Sequence, residues 1–237
     1  SDKVKNNMLS FFARFNYDWK SRYLITATMR ADGTSRFVHH KWGYFPSVAA
    51  AWRVSDEPFM ATFGSWLSNL KLRLGWGATG NNATQNAFPS NILYTGNQNY
   101  PFGNSMQPAI YLMQIANRNL KWETTYQSNL GIDFGILNNR INGSIDLYNK
   151  DTRDLLLYAD VPPSIGFSQV QQNVGSINNK GLEITLNATI LPGKKNRLKW
   201  TSSFNIAFNK NEITALSDGQ LSRKAGIRYP NIPDLYI

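Results

Sequence analysis

A long stretch of alternating residues, from 119 to 157, constrains the fold of this chain more than any other feature. From Trp122 onward every second residue is mostly apolar, and the residues between them are mostly polar or glycine. A period of two is typical of β-strands with one apolar and one polar face. The pattern pauses at Asn138 and Asn139, which tolerate the positive φ angles of a tight turn, and resumes at Ile141. The stretch therefore predicts a β-hairpin whose strands, at about ten residues each, are long enough to cross a bilayer.

The same alternation predicts eight strands in the whole chain. The six outside the hairpin are expected at Leu9–Trp19, Tyr23–Ala31, Phe45–Val54, Leu70–Ala78, Leu182–Ile190 and Leu198–Phe208. The connections between the eight strands run short, long, medium, long, short, long and short, as in transmembrane barrels with short periplasmic turns and long outer loops. The medium connection, 55–69, is expected to hold a short helix because Ser55 and Pro58 suit a helix start. The long connection 79–118 looks too polar and irregular for a core element. The predicted fold class is therefore all-β, an antiparallel transmembrane β-barrel.

Composition fits this interpretation and argues against nucleic-acid binding. The 237 residues carry 25 Lys and Arg against 15 Asp and Glu, with no cysteine and a mean hydropathy of -0.39. Nucleic-acid binding needs basic residues on one face, but here they are dispersed, and the one tight cluster is Lys194, Lys195 and Arg197 in a predicted turn. Alternation dilutes the hydropathy signal of barrel strands, so a low mean value does not exclude them. The chain lacks an initiator methionine and stops after a connection-like segment at Ile237, so we expect a piece of a longer protein.

Tryptophan positions provide a second indication of a membrane barrel. Five of the seven tryptophans belong to the predicted outward-facing set of alternating residues and lie near strand ends, where an aromatic girdle meets lipid headgroups: Trp19, Trp52, Trp76, Trp122 and Trp200. Trp42 and Trp66 are expected in connections. A soluble sandwich or lipocalin-like barrel also has alternating strands and remains the alternative, although the strand length argues against it.

No motif in the chain predicts catalysis, a cofactor or a metal site. Residues 75–80 match G-x-G-x-x-G, but no helix pattern follows to receive a pyrophosphate, so we interpret them as small residues at a strand end. His39 and His40 are adjacent and are expected on a loop surface. Asp151 and Asp154 lack the spaced oxygen ligands of a recognisable calcium loop, although a calcium site there stays open. We therefore expect no enzymatic activity.

Two groups of residues are candidates for contact with a solute. Charged residues on the predicted polar face of the strands are expected to line a lumen: Arg30, Lys71, Arg73, Glu123, Asp133, Asp146 and Glu183. Aromatic residues expected in extracellular loops are candidate substrate-binding residues that could stack on sugar rings, with simple loop packing as the alternative: Trp42, Tyr44, Tyr94, Tyr100 and Tyr111.

Several ordered motifs resemble one family of transporters. They are Asp32-Gly-Thr-Ser-Arg-Phe37, Tyr44-Phe-Pro-Ser-Val48, Asn69-Leu-Lys-Leu-Arg73, Thr79-Gly-Asn81, Asn119-Leu-Lys-Trp-Glu123, Leu130-Gly-Ile-Asp-Phe-Gly135, the run from Arg140 to Leu156, and Asn178-Asn-Lys-Gly-Leu-Glu183. Together they resemble the C-terminal half of the barrel of SusC/RagA-type TonB-dependent transporters from Bacteroidota outer membranes. The resemblance covers about Leu9 to Leu216.

This resemblance implies eight strands of a 22-stranded outer-membrane barrel with a plugged lumen. It also implies uptake of a glycan or peptide fragment, energy from TonB through an N-terminal region, and a SusD-like surface lipoprotein as a lid. The plug, the TonB-contacting segment and the terminal strands are not found in these 237 residues. A passive barrel or membrane anchor and a soluble β-domain binding module remain the alternatives.

Overall fold

Eight long strands form one antiparallel sheet in the computed structural model, which describes residues 5–64, 66–84, 89–167, 169–193 and 198–216. The strands, in chain order, are β1 (Met8–Trp19), β2 (Tyr23–Thr34), β3 (Trp42–Arg53), β4 (Leu67–Asn81), β5 (Leu93–Phe102), β6 (Ser105–Gln114), β7 (Glu123–Ile136), β8 (Ile141–Arg153), β9 (Leu156–Asp160), β10 (Gln169–Asn173), β11 (Ser176–Pro192) and β12 (Lys199–Ala215). The sheet order is β1-β2-β3-β4-β7-β8-β11-β12, and β5–β6 and β9–β10 are separate two-stranded hairpins. Within the described residues β1 and β12 do not pair, so this part of the sheet is an open wall.

The eight predicted strands are confirmed, but most are longer than the alternation indicated. The predicted loop from Asp32 to Tyr44 shrinks to residues 35–41, and β12 continues to Ala215. The hairpins β5–β6 and β9–β10 were not predicted. In β5–β6 the register shifts between Thr95 and Gln98, and such an irregularity breaks the period of two that identifies a strand. The basic cluster at Lys194, Lys195 and Arg197 and the end of the chain lie outside the described residues.

Strand pairing confirms that the sheet has one polar and one apolar face, because directly paired residues lie on the same face. One row across all eight strands is polar or glycine throughout: Arg14, Thr28, Ser47, Gly77, Gln127, Lys150, Asn179 and Asn211. A row on the opposite face is apolar throughout: Trp19, Tyr23, Trp52, Leu72, Ile132, Ile145, Ile184 and Ile206. Many apolar side chains of this second face are about half exposed, as expected for a surface that meets lipid.

The apolar band runs obliquely across the strands. At one border the apolar band begins at Trp19 in β1 and at Trp200 in β12. The row of directly paired residues that starts at Trp19 reaches β12 at Ile206, which is six residues beyond Trp200. The band therefore steps six residues over seven strand pairs, nearly one residue per strand. With ~3.3 Å per residue and ~4.8 Å between strands, this corresponds to a strand tilt of roughly 30°. That value is close to the tilt of transmembrane barrels.

Short connections share one edge of the sheet. Leu137, Asn138 and Asn139 have φ of 54°, 56° and 57°, which confirms the predicted turn. The connection between β3 and β4 holds two 3₁₀ turns, Val54–Asp56 and Pro58–Phe63, so the predicted short helix takes the tighter 3₁₀ form. Among the described residues no helix is long and apolar enough to cross a membrane.

Candidate functional site

The polar face of the sheet carries all seven charged residues that the sequence assigned to a lumen. The pairing places Arg30, Lys71, Arg73, Glu123, Asp133, Asp146 and Glu183 on this face. They are spread over β2, β4, β7, β8 and β11 rather than gathered at one point. The arrangement is therefore an extended charged surface, and no group of three or more His, Cys, Asp or Glu among the described residues is placed to hold a metal.

Arg73 joins two carboxylates at the centre of this face. Its Nε and Nη2 donate to the Asp133 carboxylate at 2.9 and 2.7 Å, and Nη2 also donates to Asp146 Oδ1 at 2.8 Å. The three side chains come from β4, β7 and β8 and are each about one-third exposed. Two-point contact with one carboxylate fixes the guanidinium plane, and the second carboxylate fixes its position. The network locks three neighbouring strands together and leaves one net negative charge.

Glycine at position 131 provides the space for this network. A Cβ there would lie 2.6 Å from both Arg73 Cζ and Asp146 Oδ1. Gly131 is paired with Arg73 on one side and Asp146 on the other, so the guanidinium crosses directly over its backbone. The charged groups consequently lie close against the backbone of the sheet at this point.

Amide and hydroxyl side chains extend the polar face across β8, β11 and β12. Asn179 donates to Asn209 Oδ1 at 3.0 Å, and Ser203 donates to Asn187 Oδ1 at 2.8 Å. Asn187 in turn donates to Asn142 Oδ1 at 3.4 Å. These groups can both donate and accept hydrogen bonds, so they suit contact with a neutral polar solute.

A hydrophobic cluster closes the edge of the sheet from which the long connections leave. It consists of Phe37, Phe45, Ala78, Leu120 and Trp122, and Leu156 packs against it. Pairing between β3 and β4 ends at Ser47 and Gly77, and the cluster occupies the region beyond that point. Glycines at 43 and 80 leave room for the Phe45 ring, since a Cβ at Gly80 would overlap it.

The girdle position predicted for Trp122 is wrong. Its side chain is 6% exposed, packs edge-on against Phe37 and Phe45, and donates from Nε1 to the Lys41 carbonyl at 3.1 Å. β7 begins one residue later, at Glu123, so alternation no longer determines the direction of the Trp122 side chain. Alternation did not identify the partners Phe37 and Leu120, because both lie in connections.

Side chains of the long connections are tied to one another at this edge. Asn173 accepts from the Lys121 amide at 2.9 Å and donates to the carbonyls of Lys121 and Asp154 at 2.8 and 2.9 Å. Lys121 Nζ lies 2.8 Å from Asp154 Oδ2. Glu123 accepts from the Leu156 amide and from Asn81, each at 3.2 Å. The connections 82–122 and 154–175 are thus linked to each other and to β4, a role for Asn173 that the sequence did not indicate.

The aspartates considered for a calcium site and one of the adjacent histidines also have partners in this region. Asp151 pairs with Arg153 at 2.6 Å, and Asp154 pairs with Lys121. His39 and His40 are exposed in the connection between β2 and β3, as predicted, and His39 Nδ1 lies 3.2 Å from Asn119 Oδ1. The glycine-rich residues 75–80 lie within β4, in agreement with their interpretation as strand.

The loop location predicted for two of the five substrate-binding aromatics is wrong. Trp42 and Tyr44 lie in β3, on the apolar face with Phe11, whose ring stacks against Trp42 at 6.1 Å. The motif Tyr44-Phe-Pro continues the strand to Arg53, since Pro46 alone does not end it. Tyr94, Tyr100 and Tyr111 lie in the hairpin β5–β6, within the long connection as predicted, and are 65%, 47% and 44% exposed.

Comparisons with known proteins agree with this two-faced, tilted wall. The family described as "TonB dependent receptor-like, beta-barrel" matches residues 1–237. The chain belongs to this family. It is 43% identical over 221 residues to the TonB-dependent receptor SusC of Bacteroides thetaiotaomicron, covering 91% of this chain and 22% of that protein. It is 40% identical over 219 residues to the TonB-dependent receptor P39 of Formosa agariphila, covering 92% of this chain and 20% of P39.

Solved structures give the same result. The structure of the RagAB peptide transporter matches with a TM-score of 0.82 and 30% identity, covering 95% of this chain and 24% of that chain. The chain therefore corresponds to part of the β-barrel of a TonB-dependent receptor and is similar to SusC. It spans about a fifth of the length of the curated relatives it matches.

Proposed function

We propose that the chain forms part of the wall of an outer-membrane active importer that takes up oligosaccharides or peptides. In this proposal TonB supplies the energy through an N-terminal region, and a SusD-like lipoprotein acts as a lid. The observation that carries the proposal is that the sheet has an oblique apolar band on one face. Its other face bears charged and amide side chains that are held by hydrogen bonds. Such a wall separates lipid from a polar lumen. The match to the RagAB peptide transporter supports peptides as one cargo class, and the oligosaccharide class rests on the family resemblance of the sequence motifs.

Uptake in cells separates this proposal from the passive barrel. The full-length protein is expressed in a Gram-negative host with its own lid protein, and cells are supplied with a labelled oligosaccharide pool or a labelled peptide pool too large for porins. Uptake of one pool is expected to stop when a protonophore collapses the inner-membrane gradient. Uptake that persists in de-energised cells would indicate a passive pore, and recovery of the protein in the aqueous fraction without detergent would indicate a soluble domain.

The hairpin β5–β6 is our candidate for contact with the lid. Its residues Leu93–Gln114 include no Asp, Glu, Lys, Arg or His. Phe102, Met106 and Ile110 are 68%, 66% and 79% exposed. A two-stranded hairpin with an exposed apolar surface is marginal in water by itself, and aromatic and methionine side chains without charge are typical of the core of a protein interface.

Point substitutions test this contact. Ile110→Asp in the full-length protein is expected to weaken co-purification of the lid, because it places a charge within an apolar interface. The matched control is Ile165→Asp, since Ile165 is 49% exposed in the other long connection. Equal lid recovery with both variants would remove the hairpin from the interface and leave the import proposal standing.

The same hairpin holds the three aromatics that remain candidates for substrate contact. Tyr94, Tyr100 and Tyr111 each combine an apolar ring with a hydroxyl, which suits both sugars and peptides. Tyr100 packs edge-on against Phe102 at 6.2 Å, so its ring has a fixed neighbour. Tyr100→Ala is expected to raise the half-saturating cargo concentration without reducing lid recovery.

A further inference from the structure

The connection between β3 and β4 exposes large apolar side chains at the edge of the short turns. We call residues 54–64 the interfacial segment; it contains the 3₁₀ turns Val54–Asp56 and Pro58–Phe63. Phe59 and Phe63 are 61% and 46% exposed, whereas Val54 is buried at the start of the segment. A soluble turn of this length rarely carries two exposed phenylalanines without a surface to cover them.

Glu57 attaches the segment to the apolar face of the sheet. Its carboxylate accepts hydrogen bonds from Tyr23 Oη at 2.7 Å, Trp52 Nε1 at 3.1 Å and Arg22 Nη1 at 3.3 Å. Tyr23 and Trp52 are directly paired on the apolar face, and their rings stack at 6.2 Å with an interplanar angle of 9°. Trp19 packs against Tyr23 at 5.4 Å. The segment is therefore held against the apolar face of the sheet, at the rings of Trp19, Tyr23 and Trp52, and not against the polar face.

The charges around the segment compensate one another. Residues 18–22 and 53–57 contain three acids and three bases. Arg22 pairs with Glu57, Arg53 lies 3.7 Å from Asp56, and Lys20 Nζ lies 4.8 Å from the centre of the Trp19 ring. Aromatic rings next to internally paired charges are typical of the headgroup level of a bilayer. Because the acids and bases are equal in number and two of the three pairs are ion-paired, attraction to anionic lipid contributes little.

From these observations we propose that the interfacial segment binds the membrane surface and inserts Phe59 and Phe63 among the phospholipids of the periplasmic leaflet. The occupant is lipid because the segment is continuous with the lipid-facing surface through Glu57, Tyr23 and Trp52. The inference rests on the proposed membrane position of the wall. It adds a lipid contact outside the strands, which makes the β3–β4 connection an anchor rather than a free periplasmic turn.

Spin labels on introduced cysteines measure this contact. The 237 residues contain no cysteine, so a label in this part of the chain is unambiguous once any cysteines elsewhere in the full-length protein are replaced. Phe59→Cys and Phe63→Cys are reconstituted in phosphatidylcholine vesicles, and the accessibility of each label to oxygen, which dissolves in lipid, is compared with that to a water-soluble nickel chelate. Both labels are expected to favour oxygen, and Ile165→Cys at the opposite edge is expected to favour nickel.

A label at Leu74 separates failure of this inference from failure of the proposed function. Leu74 is 59% exposed on the apolar face of β4, so Leu74→Cys reports whether the wall lies in lipid at all. If Leu74 favours oxygen while the labels at 59 and 63 favour nickel, the segment is a free turn and the inference fails alone. If those two labels reach neither reagent, protein rather than lipid covers them, which also overturns it. If Leu74 itself favours nickel, the membrane position is wrong.

Lipid composition provides the second readout. Since the charges are internally paired, the oxygen preference at Phe59 and Phe63 is expected to stay unchanged when one-quarter of the phosphatidylcholine is replaced by phosphatidylglycerol. A preference that appears only with phosphatidylglycerol would indicate electrostatic adsorption and contradict apolar insertion.

Discussion

Arg73 stabilises the wall through three strands at once. Arg73→Met leaves Asp133 and Asp146 facing each other without a cation, and it is expected to lower the free energy of unfolding by about 1–2 kcal/mol, between the values for exposed and buried ion pairs. The measurement is urea unfolding of the full-length protein in vesicles. Arg14→Met is the control, because Arg14 makes a single 3.4 Å bond to Thr28 on the same face, and its variant should unfold like the wild type.

The ring of Phe45 occupies the space that a side chain at Gly80 would need. A Cβ at Gly80 would overlap that ring, which is 7% exposed and enclosed by Gly43 and Trp122. Gly80→Ala is therefore expected to cost about 1–3 kcal/mol of unfolding free energy by overpacking. Gly75→Ala in the same strand is the control, since its Cβ would meet only Asn129 Cβ at 3.9 Å. Equal stability of the two variants would show that the Phe45 ring moves aside without cost.

At the scale of the element, the interfacial segment is expected to respond to acid through Glu57. Hydrogen bonds from Tyr23 and Trp52 and the charge of Arg22 hold the pKa of Glu57 below its ordinary value of 4.5. A lowered pKa in the folded state means that the attachment is complete above the ordinary value and is lost as the pH falls through the lowered one. A spin label at Phe59→Cys should become more mobile as the pH falls through this lowered pKa.

Glu57→Gln provides the control for that titration. The amide keeps the shape of the side chain but does not titrate, so the label should show equal mobility at neutral and acidic pH. An unchanged acid response in Glu57→Gln would show that Glu57 is not the group responsible.

The strands of the eight-stranded sheet were predictable from sequence, and the two separate hairpins were not. The alternation from Glu123 to Ile136 identified β7 because each side chain meets either the polar or the apolar face. One residue before the strand, the same alternation failed for Trp122, whose position depends on Phe37 and Phe45. Hairpin β5–β6 lacks a sheet to define its two faces, and its register shift removes the remaining periodicity.

The candidate site was predictable to the same extent. The alternation of residues along each strand was enough to predict that the seven charged residues share one face. The choice of Asp133 and Asp146 as partners of Arg73 depends on which strands are neighbours and on the missing Cβ at Gly131, which one sequence does not reveal. Loop ties such as Asn173 to Lys121 span 52 residues and have no local signature.

At the scale of the whole molecule, the two outer strands of the described sheet present unpaired edges. β1 has 12 residues and β12 has 17, and both are exposed along their whole length. Long unpaired edges pair with other strands. These 237 residues expressed alone in detergent are therefore expected to form oligomers, measured by light scattering after size exclusion. A monodisperse monomer with strand-rich circular dichroism would show that the edges are protected.

If the sheet is part of the proposed importer, the oblique course of its apolar band also determines how much of the solute the eight strands can contact. At a tilt of roughly 30° and a strand spacing of ~4.8 Å, eight strands cover roughly 45 Å of perimeter, whereas a 22-stranded barrel of the same tilt measures roughly 120 Å around. In the proposed importer, the eight strands therefore face the cargo over little more than one-third of the circumference. Under the same proposal, Arg73 and its two carboxylates contact the cargo from one side only, so discrimination between cargoes is expected to depend on the opposite arc of the barrel as well.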